Sequence, residues 1–224
     1  MIKYHFQIIC ETRWPALPDG KTVCALILAA GLSRRMGEFK PLLALGGATV
    51  IENTVASALA GGAESAVVVT GYRGSEVEAV LRHRFGDVVR FVRNPDYAAT
   101  DMLRSAQIGA EALPACEVFF LLPGDMPAVS QETFRKLLEV REQGRPLLAF
   151  PTLNGYRKHP PLVDARLIPE ILAFHGEGGL RELWSRFEDD TMTVPVEDGG
   201  VWLDLDTPED YWNCKQVFDR IKEV

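Results

Sequence analysis

The chain is poor in the features that mark several protein classes. No apolar run approaches the roughly 20 residues that a bilayer-spanning helix needs, and no membrane association is expected. Basic residues are in the minority: 24 Lys and Arg face 31 Asp and Glu, a formal net charge of −7. Such a chain has no cationic surplus to neutralise a phosphate backbone, which excludes a general nucleic-acid binder. Cysteine is scarce and scattered. Cys10, Cys24, Cys116 and Cys214 include no pair with zinc-ligand or redox-motif spacing, so reduced thiols in a cytoplasmic protein are expected. The opening MIKYHFQIIC lacks a signal peptide's apolar stretch, and the run before Cys10 is too short for a lipid anchor. Internal repeats and low-complexity tracts are also missing.

What is present reads as an ordinary globule, 47% hydrophobic and 25% charged. A length of 224 residues suits one large α/β domain or two small ones. VCALILA at 23–29 is a short, unbroken apolar run closed by Ala30-Gly31, as in a strand buried on both faces of a parallel sheet. Further strands are expected at 66–70, 88–92, 118–122 and 147–150. Between them lie helix-start signals: a capping box at Thr49/Glu52, a second at Ser75/Glu78, and caps at Asp101 and Ser130. The last helix opens at Thr207-Pro208-Glu209-Asp210, with proline at the first helical position and acids in the first turn. Strand and helix signals alternate from 23 to about 150, which predicts an α/β, doubly wound, mostly parallel sheet with helices on both faces. Residues 1–21 lack periodicity and are read as an N-terminal extension to a single domain over 22–224.

In such sheets ligands sit beyond the carboxyl ends of the strands. The loop LAAGLSRRMGEFKPLL, which follows the first strand, is therefore the first place to look. Gly31 permits a sharp exit and lets a ligand approach the backbone. Successive amides in such a turn can hold an anion, and Arg34, Arg35 and Lys40 add positive charge beside them. Neither G-x-G-x-x-G nor G-x-x-x-x-G-K-[ST] is matched, which excludes the nicotinamide-dehydrogenase reading. A solvated surface loop is the plain alternative. FFLLPGDMP puts Asp125 at the end of a buried strand, either as a turn residue or as a functional carboxylate. In VWLDLDTPEDYW, an extended 201–206 places Trp202, Asp204 and Asp206 on one face. Carboxylates so placed are either solvated or bridged by a cation such as magnesium.

The first loop resembles the signature L-A-A-G-x-S-x-R-M-G-x-x-K-x-L-L of nucleotidyltransferases, in particular the molybdenum cofactor nucleotidyltransferases. The resemblance spans about residues 22–212. It implies that Ala30, Gly31 and Ser33 lie against CTP or GTP, and that Arg35 and Lys40 hold its phosphates and act in catalysis. It implies that Asp125 of G-D-M-P binds Mg2+, and that Asp206, just before Thr207-Pro208, is the second metal ligand in preference to Asp204. NPDYAATDMLRSAQIGA is similar to a segment that brings Ser105, with Asn94 nearby, to the nucleotide; Asp101 replaces the family's usual glycine. GYRKHPPLV resembles G-x-R-G-H-P, with Lys158 where glycine is usual. Arg157, Lys158 and His159 form a cationic cluster suited to an anionic second substrate, or else a solvated turn. GEGGLRELW resembles a further segment and adds Arg181, with Glu177 ranked below it. His5, His83 and His175 have no evident role. The function implied is Mg2+-dependent transfer of a nucleoside monophosphate from CTP or GTP to a phosphate-bearing acceptor, molybdopterin cofactor foremost, with pyrophosphate released. The resemblance also brings a molybdoenzyme or chaperone into view as a protein partner. A sugar-phosphate or alcohol-phosphate acceptor is the alternative within the class, and a non-catalytic nucleotide sensor is the alternative outside it.

Overall fold

The structure is a computed structural model that describes residues 22–222. The expected N-terminal extension over 1–21, with His5 and Cys10, lies outside the described residues.

In chain order the elements are β1 (Val23–Ala29), β2 (Ala44–Leu45), β3 (Ala48–Thr49), α1 (Val50–Ala60), β4 (Ser65–Thr70), α2 (Gly74–Phe85), β5 (Val89–Arg93) and α3 (Met102–Glu111). There follow β6 (Val118–Pro123), α4 (Gln131–Gly144), β7 (Leu148–Leu153), β8 (Tyr156–Arg157), β9 (Leu162–Asp164), α5 (Ile168–Ala173), α6 (Gly179–Ser185), β10 (Thr191–Pro195) and α7 (Pro208–Lys222). The main sheet runs β10-β7-β9-β6-β1-β4-β5, with β8 paired to β7. β1 is parallel to both β4 and β6, β4 to β5, and β10 to β7. β9 is antiparallel to β6 and β7, wedged between them. The doubly wound α/β arrangement expected from the strand and helix alternation is therefore present, with one reversed strand inside it.

The apolar run of β1 is explained by its two faces. Val23, Ala25, Ile27 and Ala29 pack on one side with Val55, Leu81 and Phe134 of α1, α2 and α4. Cys24 and Leu26 pack on the other with Ala106, Ile171 and Leu183 of α3, α5 and α6. With a helical layer over each face, every side chain of the strand is apolar or small, as the period-2 geometry requires.

A third, smaller cluster positions the site. Met36, Leu45, Val50, Leu205, Cys214 and Phe218 bury one another, and the Tyr211 hydroxyl donates to the Ala44 carbonyl at 2.7 Å. These contacts pin the loop after β1 and the β2–β3 hairpin against the segment leading into α7.

Several local signals hold. Thr49 and Glu52 form the full capping box of α1. Asp101 accepts from the Arg104 amide and Ser130 from the Thr133 amide at the starts of α3 and α4. Thr207 and Asp210 cap α7 reciprocally. Two expectations fail. The Ser75/Glu78 box is not formed, because α2 begins at Gly74 after a left-handed Arg73 (φ 51°) whose guanidinium grips Glu76. Glu78 instead accepts from the Thr70 hydroxyl at 3.3 Å. Residues 201–206 are not extended either; Gly199–Trp202 is a 3-10 turn. The Asp198 carboxylate holds that turn by accepting from the Gly200 amide, the Ser130 amide and the Thr133 hydroxyl. Gly200 presses so close to the Ala128 carbonyl that a Cβ there would lie 1.9 Å from its oxygen.

Candidate active site

Because β1 and β6 are parallel neighbours, their carboxyl ends lie side by side, and the segments leaving them share one cleft. A cavity of about 270 Å3 opens there, lined by Ala30, Gly31, Ser33, Lys40, Ser105 and Asp125 among others. The turn itself is made by Ser33, whose φ is 53°, and by Gly37 at φ 78°. The Ser33 carbonyl accepts from the Met36 amide at 3.1 Å, and its hydroxyl accepts from the Lys40 amide at 3.1 Å. The sharp exit expected of Gly31 thus falls to these two residues. Gly31 has no left-handed φ, and a Cβ on it would meet nothing within 4 Å. Its bareness leaves open space at the cleft wall, where a ligand can reach the backbone.

Lys40 opens a short 3-10 turn stiffened by Pro41, and its side chain is only 9% exposed. Its ammonium donates to Asp125 Oδ2 at 3.0 Å and to Asp206 Oδ1 at 2.8 Å. Arg35 approaches the other oxygen of Asp206 at 2.7 Å from a largely exposed position. The Leu205 amide donates to the Asp125 carbonyl at 3.2 Å, which ties the two acidic segments together. Burial opposes a charge on Lys40, but the hydrogen bonds to Asp206 and Asp125 outweigh it and hold its pKa above the ordinary lysine value. The lysine is a fixed cation at any working pH.

The cleft's second wall is organised by Asn94, which is fully buried. Its amide donates to the Thr100 and Ser105 hydroxyls at 3.0 and 3.1 Å, and its carbonyl accepts from the Asp96 amide. Asp101 lines the cleft as well, with its carboxylate engaged in capping α3. A Cβ on Gly179 would sit 3.7 Å from Asp101 Oδ2, so the start of α6, bearing exposed Arg181, borders this rim. Glu177 is exposed just before it.

Arg157, Lys158 and His159 do not form one cationic cluster. Arg157 turns to Glu188 and stacks over Phe150. The Lys158 ammonium sits 3.2 Å from the centroid of the Trp202 ring. His159 points inward; burial pushes its pKa below the ordinary value against the opposing pull of a Leu121 backbone hydrogen bond and of Asp204 and Asp125, so the ring is neutral at pH 7. Its Nδ1 is buried without a hydrogen-bond partner. β8 ends at Arg157 and the chain bends at His159, so the three side chains part, which sequence adjacency does not reveal.

Among the described residues no group of three or more His, Cys, Asp and Glu side chains forms a metal cage. Two carboxylates that converge on one cation are nevertheless the donor set that magnesium takes when phosphate oxygens and water supply the rest. Asp125 and Asp206 fit that description. Sequence reasoning missed the direct contact of Lys40 with both acids and the Lys158–Trp202 stack. The Asn94 bracket had a signal, the turn-forming Asn-Pro-Asp after a strand.

Comparison with known proteins identifies the family. The family model described as MobA-like NTP transferase domain matches residues 25–191. The molybdenum cofactor cytidylyltransferase of Escherichia coli (strain K12) is 32% identical over 196 residues, covering 88% of this chain and 97% of that protein. Nicotine blue oxidoreductase of Paenarthrobacter nicotinovorans is 27% identical over 199 residues, covering 85% and 95%. Among solved structures, a nucleotidyl transferase from Methanothermobacter superposes with a TM-score of 0.75 at 29% identity, covering 90% of this chain and 99% of that one.

Proposed function

The chain belongs to the MobA-like NTP transferase family and is a nucleotidyltransferase, and we propose that it transfers the nucleoside monophosphate of CTP or GTP to a phosphate-bearing acceptor, molybdopterin cofactor foremost. The observation that carries the proposal is the meeting of Lys40 with Asp125 and Asp206 at the mouth of the cleft that Gly31 leaves open. A nucleotide sensor needs a phosphate-binding loop but has no use for two carboxylates held against it. The likeness to the E. coli cytidylyltransferase over nearly its full length supports the choice of acceptor.

In the reaction, an oxygen of the acceptor phosphate bonds to the α-phosphorus, the bond to the β-phosphate oxygen breaks, and pyrophosphate leaves. An acceptor phosphate is already ionised at neutral pH, so no strong general base is required. The barrier lies in bringing polyanions together and in the charge gathered on the leaving group. Mg2+ held by Asp125 and Asp206 would supply charge neutralisation on the phosphates. Lys40 and Arg35 leave the two acids for the β- and γ-phosphates and stabilise the departing pyrophosphate, assisted by the amides of the loop after β1. The net negative charge of the chain is thereby no obstacle, because the cations are concentrated at one turn.

The test is pyrophosphate release from each of the four ribonucleoside triphosphates with Mg2+ and a phosphorylated acceptor. Release is expected with CTP or GTP only. A parallel thermal melt should show stabilisation by the same nucleotide, since a ligand bound by the native state alone raises Tm. No release and no shift with any nucleotide would defeat the proposal.

A further inference from the structure

A second polar cavity lies far from the nucleotide cleft. The cleft opens at the carboxyl ends of β1 and β6. Asp164 pairs across from Val118, the first residue of β6, so its surroundings lie at the other end of that strand. The six residues of β6 put about 20 Å between the two places. A cavity of about 500 Å3 opens at this far end, lined by Arg141, Arg145, Arg166, Asp164, Glu117 and Cys116 among others. Three guanidiniums thus face two carboxylates in a chain whose formal net charge is −7.

The arginines are held in place but not used up. Asp164 takes Nη2 of Arg141 and both Nε and Nη2 of Arg166. A guanidinium carries about five N–H donors, so most of them stay uncommitted. Arg141 Nε is buried without a hydrogen-bond partner, which leaves that group short of acceptors even with Asp164 beside it. The Arg166 side chain is 65% exposed, and its remaining nitrogen is not engaged by Asp164. Arg145 is exposed and has no ion-pair partner among the described residues. It follows α4 with a left-handed backbone (φ 46°), at a place where glycine or asparagine is usual. Its amide donates to the Arg141 carbonyl at 3.0 Å, which fixes the two residues one helical turn apart. Two acids oppose the arginines beyond Asp164: Glu117, exposed in the cavity wall, and Asp190, which acts on Arg166.

We propose that this cavity is a binding site for a small phosphate-class oxyanion, separate from the nucleotide cleft. Arg145 and the uncommitted nitrogens of Arg141 and Arg166 supply the contacts, since the planar fork of arginine matches phosphate oxygens. Asp164 is the internal counter-ion that keeps Arg141 and Arg166 in position, and Glu117 opposes the anion and limits its affinity. The assignment does not depend on the nucleotidyl-transfer reading. Inorganic phosphate and pyrophosphate share this chemistry and differ in reach.

The experiment uses the full chain, with inorganic phosphate and pyrophosphate as probes, without Mg2+ and at constant ionic strength. The nucleotide cleft is silenced by Arg35→Ala with Lys40→Met, and binding is read by equilibrium dialysis. About one equivalent of probe is expected to remain bound. Adding Arg145→Gln should weaken it about tenfold, the size of one lost charge-assisted contact. Glu117→Gln should tighten it about threefold. Arg186→Gln, the same charge change at an exposed residue of another element, should leave it unmoved. Arg145→Gln alone should keep the wild-type kcat/KM for transfer. Tighter binding of pyrophosphate assigns the site two phosphoryl groups, and tighter binding of phosphate assigns it one. No retained probe overturns the site, as does an equal loss in Arg145→Gln and Arg186→Gln. If the silenced chain fails to fold, the same site is read as the equivalent lost between wild type and Arg145→Gln, and equal stoichiometry in those two overturns it.

Discussion

Two ion clusters sit at opposite ends of β6, and they are built on opposite principles. At its amino end, Asp164 of β9 pairs across from Val118. Its carboxylate is 3% exposed and accepts from Arg141, from the Arg166 amide and from two Arg166 side-chain nitrogens, all within 3.0 Å. One anion there has a surplus of donors, one of them backbone. At the carboxyl end one buried ammonium, Lys40, is shared by two carboxylates, with the largely exposed Arg35 on the other oxygen of Asp206, and Lys40 and Asp125 line an open cleft. The first cluster is closed, because its anion has nothing further to gain from another partner. The second is exchangeable, since phosphate can draw off the lysine and the acids then stand ready for a divalent cation. A salt bridge that stabilises a fold and one that waits for a substrate are thus distinguished by the number of donors per carboxylate, not by distance.

The sharpest way to break this comparison is to remove one acid from each end. Asp125→Ala should lower kcat/KM for transfer by about a thousandfold or more, with a melting temperature near that of the wild type, as read by pyrophosphate release and calorimetry. Asp164→Asn should do the reverse. Leaving Arg141 half-buried without its partner costs about 3 kcal/mol in urea unfolding, while kcat/KM of the folded fraction stays unchanged. If Asp164→Asn abolished transfer at unchanged stability, the division of roles between the two ends would be wrong.

Lys40→Met sharpens the claim of exchange. Triphosphate use should weaken about 10- to 100-fold. Manganese, followed by electron paramagnetic resonance without nucleotide, should bind more tightly than to wild type, because the acids have lost their internal cation. Unchanged manganese affinity would mean that the lysine does not occupy the acids in solution.

The smallest effect concerns pH. The folded-state pKa of His159 lies below its unfolded value of about 6.5 because the ring is buried. The unfolded chain therefore takes up the proton first, so the stability is intact above about pH 6.5 and is lost as the pH falls below it. The slope is at most about 1.4 kcal/mol per pH unit. His159→Gln should flatten the urea-stability profile in that range, and an equally steep profile would assign the acid sensitivity to other groups. Asp164 contributes in the same direction at lower pH. Burial works against its charge, but Arg166 and Arg141 hold its pKa below the usual carboxylate range, so that its stabilisation is lost as the pH falls through that lowered value.

Most elements were legible in the sequence because their causes are local. The buried run of β1, the box at Thr49/Glu52 and the caps at Asp101 and Ser130 each depend on residues within one turn or one strand. Two of the failures had distant causes, and one a local backbone turn that the capping pattern does not show. Residues 199–202 coil because Asp198 reaches Ser130 and Thr133, 68 and 65 residues away. Ser75 does not cap α2 because the chain turns left-handed at Arg73 beside Gly71. Arg157 leaves its neighbours for Glu188, 31 residues on.

The sequence by itself determined the order of strands and helices, the place where the cationic loop leaves the sheet, and which acids end buried segments, because backbone hydrogen bonding and side-chain periodicity act over a few residues. Only the tertiary structure decided that Lys40 stands between Asp125 and Asp206, partners 85 and 166 positions away. That meeting depends on the parallel pairing of β1 with β6 and on the apolar cluster that holds the first loop against the approach to α7. No local pattern encodes either, since both arise from burying surfaces that belong to different parts of the chain.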